Sequence, residues 1–359
     1  MRSAEDPLSE AGRARPDRLA AFATDVLTAV GVPAADAALV AGCLVEAELW
    51  GHPSHGLLRL SWYVARIRSG VVDPTAAPRT VVDRGAVAVV DGREGLGHVL
   101  TAAAAREAVH RAREHGAGVV AVRNSNHFGM AAHYTRMMAI DGCVGVLTTN
   151  SSPSMAPWGG RARTVGANPW SVATPAGDHG VAVMDISNGN VARGKIYAAR
   201  ERGVEIPTGW AIDAQGAPTT DPAAALAGLL LPMAGHKGYA IAFMMDILSG
   251  VLTGSSFGTG VSGPQQAERR SGSGHLVLAL DVEAFLPLEE FNRRVEQLIE
   301  EVKSVPLAEG FDEVLYPGEL EDRSQARLQR EGIDLPEGTR AELERLAEQF
   351  GVPLELAGA

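Results

Sequence analysis

Two short stretches of the chain set proton-moving and anion-binding side chains at chemically useful spacings. In HPSHGLLRLSWYV, His55, Arg59 and Tyr63 follow one another at four-residue steps. On a helix such steps drift by only about 40° each, so an imidazole, a guanidinium and a phenol share one stripe. A planar guanidinium suits a carboxylate, and an imidazole can move a proton at neutral pH. The plainer reading, a surface arginine beside a histidine that opens a helix, stays open at this point. In RNSNHFGMAAH a strand runs into a polar turn, and a helix begins near Gly129. His127 then sits at the carboxyl end of a strand, where α/β units present groups to ligands. The helix start supplies free N–H groups for an anion such as a pyrophosphate. Ordinary packing accounts for this second stretch as well as function does.

Other chemistries find no support. DGREGLGHVLTA joins a strand to a helix, but Gly92, Gly95 and Gly97 do not make G-x-G-x-x-G, and no acidic residue ends a strand at the expected distance. A tight strand–helix turn is the better reading, and G-x-x-x-x-G-K-[ST] is absent, so any dinucleotide binds by another route. H-E-x-x-H is missing too, and His127 and His133 lie about 240° apart around a helix, which no single ion can bridge from one helix. No metal site is expected. Without G-x-S-x-G there is no nucleophile elbow.

The elements that must position these residues follow from hydrophobic patterning. Of the 359 residues 46% are hydrophobic and only 5% aromatic, so the core is built from Ala, Val, Leu and Ile. RLAAFATDVLTAVG and ADAALVAGCLVEAELWG are helical, and a third helix is predicted over 56–68. Short β-branched runs then alternate with helices: VVDRGAVAVVDG, GVVAVRN, CVGVLTTN, VAVMDI and HLVLALD read as strands, with helices at 100–115 and in MAAHYTRMMAI. Such alternation predicts an α/β fold. A nearly uncharged helix over 236–252 must lie inside the protein or under a partner subunit. The loop at 258–274 reads as mobile, and two charged helices fill 322–350. Residues 1–15 read as a disordered tail, 16–80 as a helical unit joined by helices from 285–350, and 81–284 as an α/β cofactor-binding unit. The net charge of −11 disfavours nucleic acid and anionic membrane as partners. Cys43 and Cys143 read as reduced, buried thiols. The most apolar run, 239–252, is too short to span a membrane and carries Asp246. A cytoplasmic protein is expected.

With both clusters in view, the chain resembles the malate/L-lactate dehydrogenase family, whose NAD(P)-binding fold is not a Rossmann fold. That family includes ureidoglycolate and sulfolactate dehydrogenases and cyclic-imine carboxylate reductases. The resemblance runs in order through SHGLLRLSWY, NSNHFG, PWGGRARTVGANPWSVATP, MDISNGNVARGKI, IPTGWAIDAQGAPTTDP, AGHKGYAIAFMMDILSGVLTG, GHLVLALD and VLYPGE, from about residue 16 to 325. It implies the sulfolactate/malate dehydrogenase type of α/β fold, with a helical N-terminal unit. It also implies reversible hydride transfer between NAD or NADP and a small 2-hydroxy or 2-oxo acid, such as malate, lactate or a related acid, in a homodimer. By resemblance Ser54, His55, Arg59 and Tyr63 belong to the substrate-facing helix, with Arg59 on the substrate carboxylate. His127, Phe128, Gly129 and Ser151 match cofactor-contacting turns, with His127 next to the nicotinamide. Asp185, Ile186 and Ser187 match a further cofactor segment, Lys237 a cofactor-binding lysine, and Pro317, Gly318 and Glu319 a late loop over the dinucleotide.

The sequence departs from the family pattern in places. ANP at 167–169 stands where TNP is frequent, which removes a hydroxyl but keeps Asn168 as a candidate substrate contact. ISN at 186–188 replaces the commoner M-A-T. Some members use a Ser-His-Asp relay, and Lys195 stands where its acid would align, which favours His127 over His55 as the acid/base, with Ser54 beside the latter. Two other readings accompany the dehydrogenase: an NAD(P)H-dependent cyclic-imine carboxylate reductase, and a catalytically silent ligand-binding relative.

Overall fold

The computed structural model describes residues 13–191 and 193–356. The chain forms two compact units, one from the described residues up to Arg68 together with those from Glu319 onward, the other Ser69–Gly318. The first twelve positions of the expected tail lie outside the described residues. Ala14, by contrast, is buried and pairs with Ile333 through two 2.9 Å backbone hydrogen bonds.

The first unit opens with α1 (Pro16–Ala29), α2 (Ala34–Leu49) and α3 (Leu60–Arg68). Pro16 starts α1, where its missing N–H costs nothing. Leu19, Phe22 and Val26, at helical spacing, form its buried face. The predicted helix over 56–68 is shorter than expected. Pro53–His55 and Leu57–Arg59 are separate 3-10 turns, because Gly56 takes an extended backbone (φ −91°, ψ −148°) between them. His55, Arg59 and Tyr63 therefore do not share one α-helical stripe.

In the second unit a hairpin, β1 (Arg79–Arg84) and β2 (Val87–Asp91), leads to α4 (Gly97–His115), β3 (Ala117–Ser125), α5 (Ala131–Ile140) and β4 (Cys143–Thr149). Next come β5 (Pro153–Met155), β6 (Val165–Gly166), β7 (Trp170–Pro175), β8 (Val181–Ile186), α6 (Arg193–Arg202), β9 (Ala211–Ile212), β10 (Pro218–Thr219), α7 (Pro222–Ala227) and β11 (Leu229–Leu230). The unit continues through α8 (His236–Asp246), β12 (Ser273–Asp281) and α9 (Leu288–Lys303). The first unit is completed by α10 (Glu319–Glu331) and α11 (Glu337–Phe350).

Among the described residues seven strands form one sheet in the order β1-β2-β3-β12-β4-β7-β8. Only β2 and β3 pair in parallel within it. The late strand β12 runs antiparallel between β3 and β4, and its Val277 and Ala279 are fully enclosed. Helices α4 and α5 pack on this sheet. Five short strands make a second sheet, β10-β9-β11-β5-β6, around a cluster of Met155, Ile196, Ile206 and Leu230. This is the mixed α/β fold with N-terminal helices that the alternating runs predict.

Two long elements carry detail that the sequence pattern does not show. The uncharged segment 236–252 is α8 followed by a π-helical turn, Ile247–Val251. In α8 only Gly238 and Ala242 are buried, while Phe243 and Met244 are about half exposed. The 258–274 loop is drawn closed by Ser262 N–H on the Ser271 carbonyl (2.9 Å) and Ser256 N–H on that of Gly272 (3.0 Å). No helix among the described residues is long and apolar enough to cross a membrane, and both cysteines are free and buried.

Candidate active site

In the first unit the chemistry is gathered on the two turns between α2 and α3. Glu48, near the end of α2, is buried and accepts the Leu57 N–H at 2.8 Å. Burial pushes its carboxyl up to about 7, with the amide bond opposing. Gly56 passes so close that a Cβ there would strike this carboxylate, so the turn needs glycine. Beyond it, Ser54 Oγ lies 2.9 Å from His55 Nδ1, and Arg59 Nε donates to the Ser54 carbonyl at 2.6 Å. The Arg59 guanidinium stacks on the Trp62 ring, 3.8 Å from its centroid.

Three electrostatic facts follow. Arg59 is half-buried, which lowers its pKa, yet among the described residues no carboxylate pairs with it. His55 is lowered to about 4, first by burial and then by the charges of Arg59 and His52, so its imidazole is neutral at pH 7. Tyr63 is buried and its phenol is raised, mainly by burial, so it stays protonated. A guanidinium with no carboxylate partner among the described residues can hold an anion, and the neutral imidazole beside it can take up a proton from that anion or its neighbour.

In the second unit the candidate residues collect where β3, β4 and β8 end. Asn126 donates its amide to the Glu94 and Gly95 carbonyls (3.2 and 2.9 Å), and a Cβ on Gly97 would collide with the Asn126 and His127 carbonyls. Half-buried His127 receives the Gly129 N–H on Nδ1 at 3.3 Å. Gly129 has φ +79°, a conformation open to glycine. Phe128 is buried, and Tyr134 donates to its carbonyl at 2.7 Å. Asp185 accepts the Ala132 N–H in the first turn of α5 (2.8 Å), a favourable site for a carboxylate. Ile186 pairs with Trp170, and Ser187 is exposed.

Ser151 and Asn168 clasp each other. The Ser151 N–H donates to Asn168 Oδ1 (2.9 Å), and the Asn168 N–H donates to Ser151 Oγ (3.2 Å). Asn168 Nδ2 then donates to the Ala242 carbonyl in α8 (2.9 Å), so its amide ties a strand-end turn to the helix that carries Lys237. These bonds hold Asn168 at φ +39°, a strained value for a non-glycine residue. Lys237 is exposed in the first turn of α8, whose N-terminus has no side-chain cap. The Pro317 carbonyl accepts the Val183 N–H at 3.0 Å, and Gly318, at φ +96°, packs on Val183. Glu319 belongs to the first unit, where it pairs with Arg323 at 2.5 Å. Lys195 is exposed on α6. Among the described residues no group of three or more His, Cys, Asp or Glu could hold a metal.

The same region could hold a dinucleotide. Asn188 Oδ1 and Trp170 Nε1 are buried and have no hydrogen-bond partner among the described residues. An acceptor and a donor left this way are what a carboxamide or a ribose hydroxyl would satisfy. The uncapped start of α8 beside Lys237 suits a phosphate.

Sequence comparison decides the family. The model described as malate/L-lactate dehydrogenase matches residues 14–344. The chain is 37% identical over 341 residues to the L-sulfolactate dehydrogenase of Methanocaldococcus jannaschii, covering 95% of this chain and 98% of that one. The chain belongs to the malate/L-lactate dehydrogenase family. The solved sulfolactate dehydrogenase structure from M. jannaschii superposes with a TM-score of 0.92 over 96% of this chain and 99% of the other. The (2R)-3-sulfolactate dehydrogenase (NADP+) of Chromohalobacter salexigens is 39% identical over 339 residues (94% and 92% of the two chains). The ureidoglycolate dehydrogenase (NAD+) of Escherichia coli K12 is 33% identical over 312 residues (86% and 88%). As a malate/L-lactate dehydrogenase family member the chain is an NAD(P)-dependent dehydrogenase of 2-hydroxy acids.

Several residues of this family member escape sequence reasoning. Glu48 and Trp62 carry no spacing signal, and Asn188 shows only as the last residue of the departing ISN segment. His275 stands inside GHLVLALD, where a strand pattern hides it.

Proposed function

We propose that the enzyme interconverts a small 2-hydroxy carboxylate, of the malate, lactate or sulfolactate kind, with its 2-oxo form. Arg59 holds the substrate carboxylate, and His55 moves the hydroxyl proton. The observation that carries this is the half-buried Arg59 guanidinium, without a carboxylate partner among the described residues, bonded to the backbone of the Ser54–His55 turn. In a 2-hydroxy acid the carboxylate and the hydroxyl sit on adjacent carbons. The group that grips one and the group that deprotonates the other must therefore be neighbours, which favours His55 over His127. Tyr63 remains neutral and can only donate or accept a hydrogen bond.

Bound NAD or NADP supplies the hydride acceptor for oxidation and, when reduced, the donor for the reverse direction. In oxidation neutral His55 takes the hydroxyl proton while Ser54 orients its ring; in reduction the imidazolium returns a proton to the oxo oxygen. Arg59 fixes the substrate carboxylate, and that orientation is its contribution to rate. His127, Phe128, Gly129, Ser151, Asp185, Ile186, Ser187, Lys237, Pro317 and Gly318 frame the dinucleotide, with Lys237 on a phosphate or ribose and Asn168 keeping Ser151 and α8 in place. With Gly129 N–H on its Nδ1, His127 carries a ring proton on Nε2 and serves as a donor there. The exposed Phe243 and Met244 of α8, with Leu252 beyond, favour a homodimer that covers them. Two free thiols suit a reducing, cytoplasmic setting.

The test follows NADH and NADPH oxidation against oxaloacetate, pyruvate, sulfopyruvate and a cyclic-imine carboxylate. Turnover of a 2-oxo acid that Arg59→Gln abolishes supports the proposal. Turnover of the imine alone, or of a 2-oxo acid equally by wild type and Arg59→Gln, overturns it.

A further inference from the structure

His275 is a fully enclosed histidine that the proposed reaction leaves unused, and it sits directly behind the candidate cofactor turns. We propose that His275 is a positioning residue whose imidazole ties the carboxyl ends of β3 and β4 together and so fixes the turns that hold the dinucleotide. This rests on reading His127 and Ser151 as cofactor contacts.

The geometry is specific. His275 lies on β12, in register with Val122 of β3 on one side and Thr149 of β4 on the other. Its Nε2 is 2.7 Å from Ser125 Oγ, and its Nδ1 is 2.8 Å from Thr149 Oγ1. Ser125 ends β3 immediately before Asn126–His127, and Thr149 ends β4 immediately before Asn150–Ser151. One side chain, from a strand late in the chain, thus bonds the last residues of two strands, β3 and β4, that each deliver a candidate cofactor turn. Phe128 closes over it edge-on, with ring centroids 4.7 Å apart.

Burial drives the imidazole down to about 3, so it is neutral at any working pH. A neutral ring offers one N–H and one lone pair, which the two flanking hydroxyls can match by rotating. It does not exchange protons with substrate. It acts as a brace, and a buried polar network of this kind holds a single arrangement only while each member keeps its partner.

The experiment titrates NADH and NADPH into the full-length protein by fluorescence and measures steady-state kinetics for His275→Leu, His275→Gln, Ser125→Ala and Thr149→Val. Whichever dinucleotide binds more tightly to the wild type should bind about tenfold more weakly to His275→Leu, and about threefold more weakly to each hydroxyl variant. Combined with His275→Leu, the hydroxyl variants should add little, since all break one bridge. His275→Gln, which keeps a donor and an acceptor, should recover part of the loss. The kcat at saturating dinucleotide and its pH profile should change much less. A purely structural role would lower the melting temperature and leave dinucleotide affinity alone. Unchanged affinity in folded Ser125→Ala and Thr149→Val overturns the proposal. If His127→Ala and Ser151→Ala are also without effect, the cofactor reading of those turns falls with it. If those two weaken binding while the bridge variants do not, only the brace is lost.

Discussion

The turn at 53–59 in the first unit and the strand ends in the second carry their functional groups on opposite kinds of scaffold. Ser54, His55 and Arg59 sit on short 3-10 turns anchored from behind by Glu48 on the Leu57 amide. The Arg59 guanidinium has no carboxylate partner among the described residues, and the His55 imidazole is held neutral. The turns at 126–129 and 150–151, by contrast, are braced by Asn126 on two carbonyls, by Asn168 on Ser151, and by His275 across β3 and β4. A group that must change charge during turnover gains from a site free of fixed counter-charges. Groups that only hold a large cofactor in one place gain from a rigid, fully bonded frame.

The contrast can be broken from either side, and the largest effect belongs to the first unit. Arg59→Gln should lower kcat/KM for a 2-oxo acid about a thousandfold, as two charged hydrogen bonds are lost. Arg59→Lys, with charge but no planar fork, should recover only part of that. Dinucleotide affinity should stay as it is in both variants, and a parallel loss there would break the division of labour. Next comes the frame. Gly97→Ala forces a Cβ into the Asn126 and His127 carbonyls, so it should destabilise the fold by about 1–3 kcal/mol. Dinucleotide affinity should fall about tenfold with it, checked by thermal melts and NADH titration.

A smaller effect is thermodynamic. His55 is held at about 4 partly by the charge of Arg59, so a carboxylate bound there removes part of the cause and raises the imidazole pKa. With oxidised dinucleotide present, an unreactive carboxylate such as oxamate should therefore be bound with net proton uptake near pH 5. Calorimetry in two buffers of different ionisation heat reads this directly, and no uptake would separate His55 from Arg59. The smallest effect is at Glu48. Its folded carboxyl is raised to about 7 against an ordinary value near 4.5. The unfolded chain therefore binds fewer protons than the folded one between these values, and stability falls as pH rises through that window. Glu48→Gln should remove this loss, so its melting temperature should gain on wild type as pH goes from 5 to 8, with kcat nearly unchanged.

Much of the scaffold was legible from periodicity, because α1, α2, α4, α5, β3, β4 and β8 each declare themselves within a dozen residues. What was not legible depends on residues distant in the chain. Nothing local shows that β12 inserts between β3 and β4, and so nothing marks His275, whose role comes from its two sheet neighbours. The short strands β5, β6 and β9 to β11 are too brief to carry a pattern. The i, i+4 spacing of His55, Arg59 and Tyr63 singled them out on a helical stripe that the structure does not form. Gly56 breaks the helix, and Arg59 reaches the His55 turn through the Ser54 carbonyl, with no shared helical face. The family pattern favoured His127 as the acid/base, because Lys195 stands where the relay acid would align; the role proposed for His55 rests instead on its place in the turn that Arg59 bonds.

The most direct test of that assignment is the rate of hydride transfer in a single turnover at saturating dinucleotide, for His55→Ala and His127→Ala side by side. Transfer should fall about 10²- to 10⁴-fold in His55→Ala with dinucleotide affinity unchanged. Dinucleotide binding should weaken in His127→Ala with the transfer step, once saturated, largely kept. The opposite pattern, in which transfer survives loss of the His55 imidazole and collapses with that of His127, would contradict it.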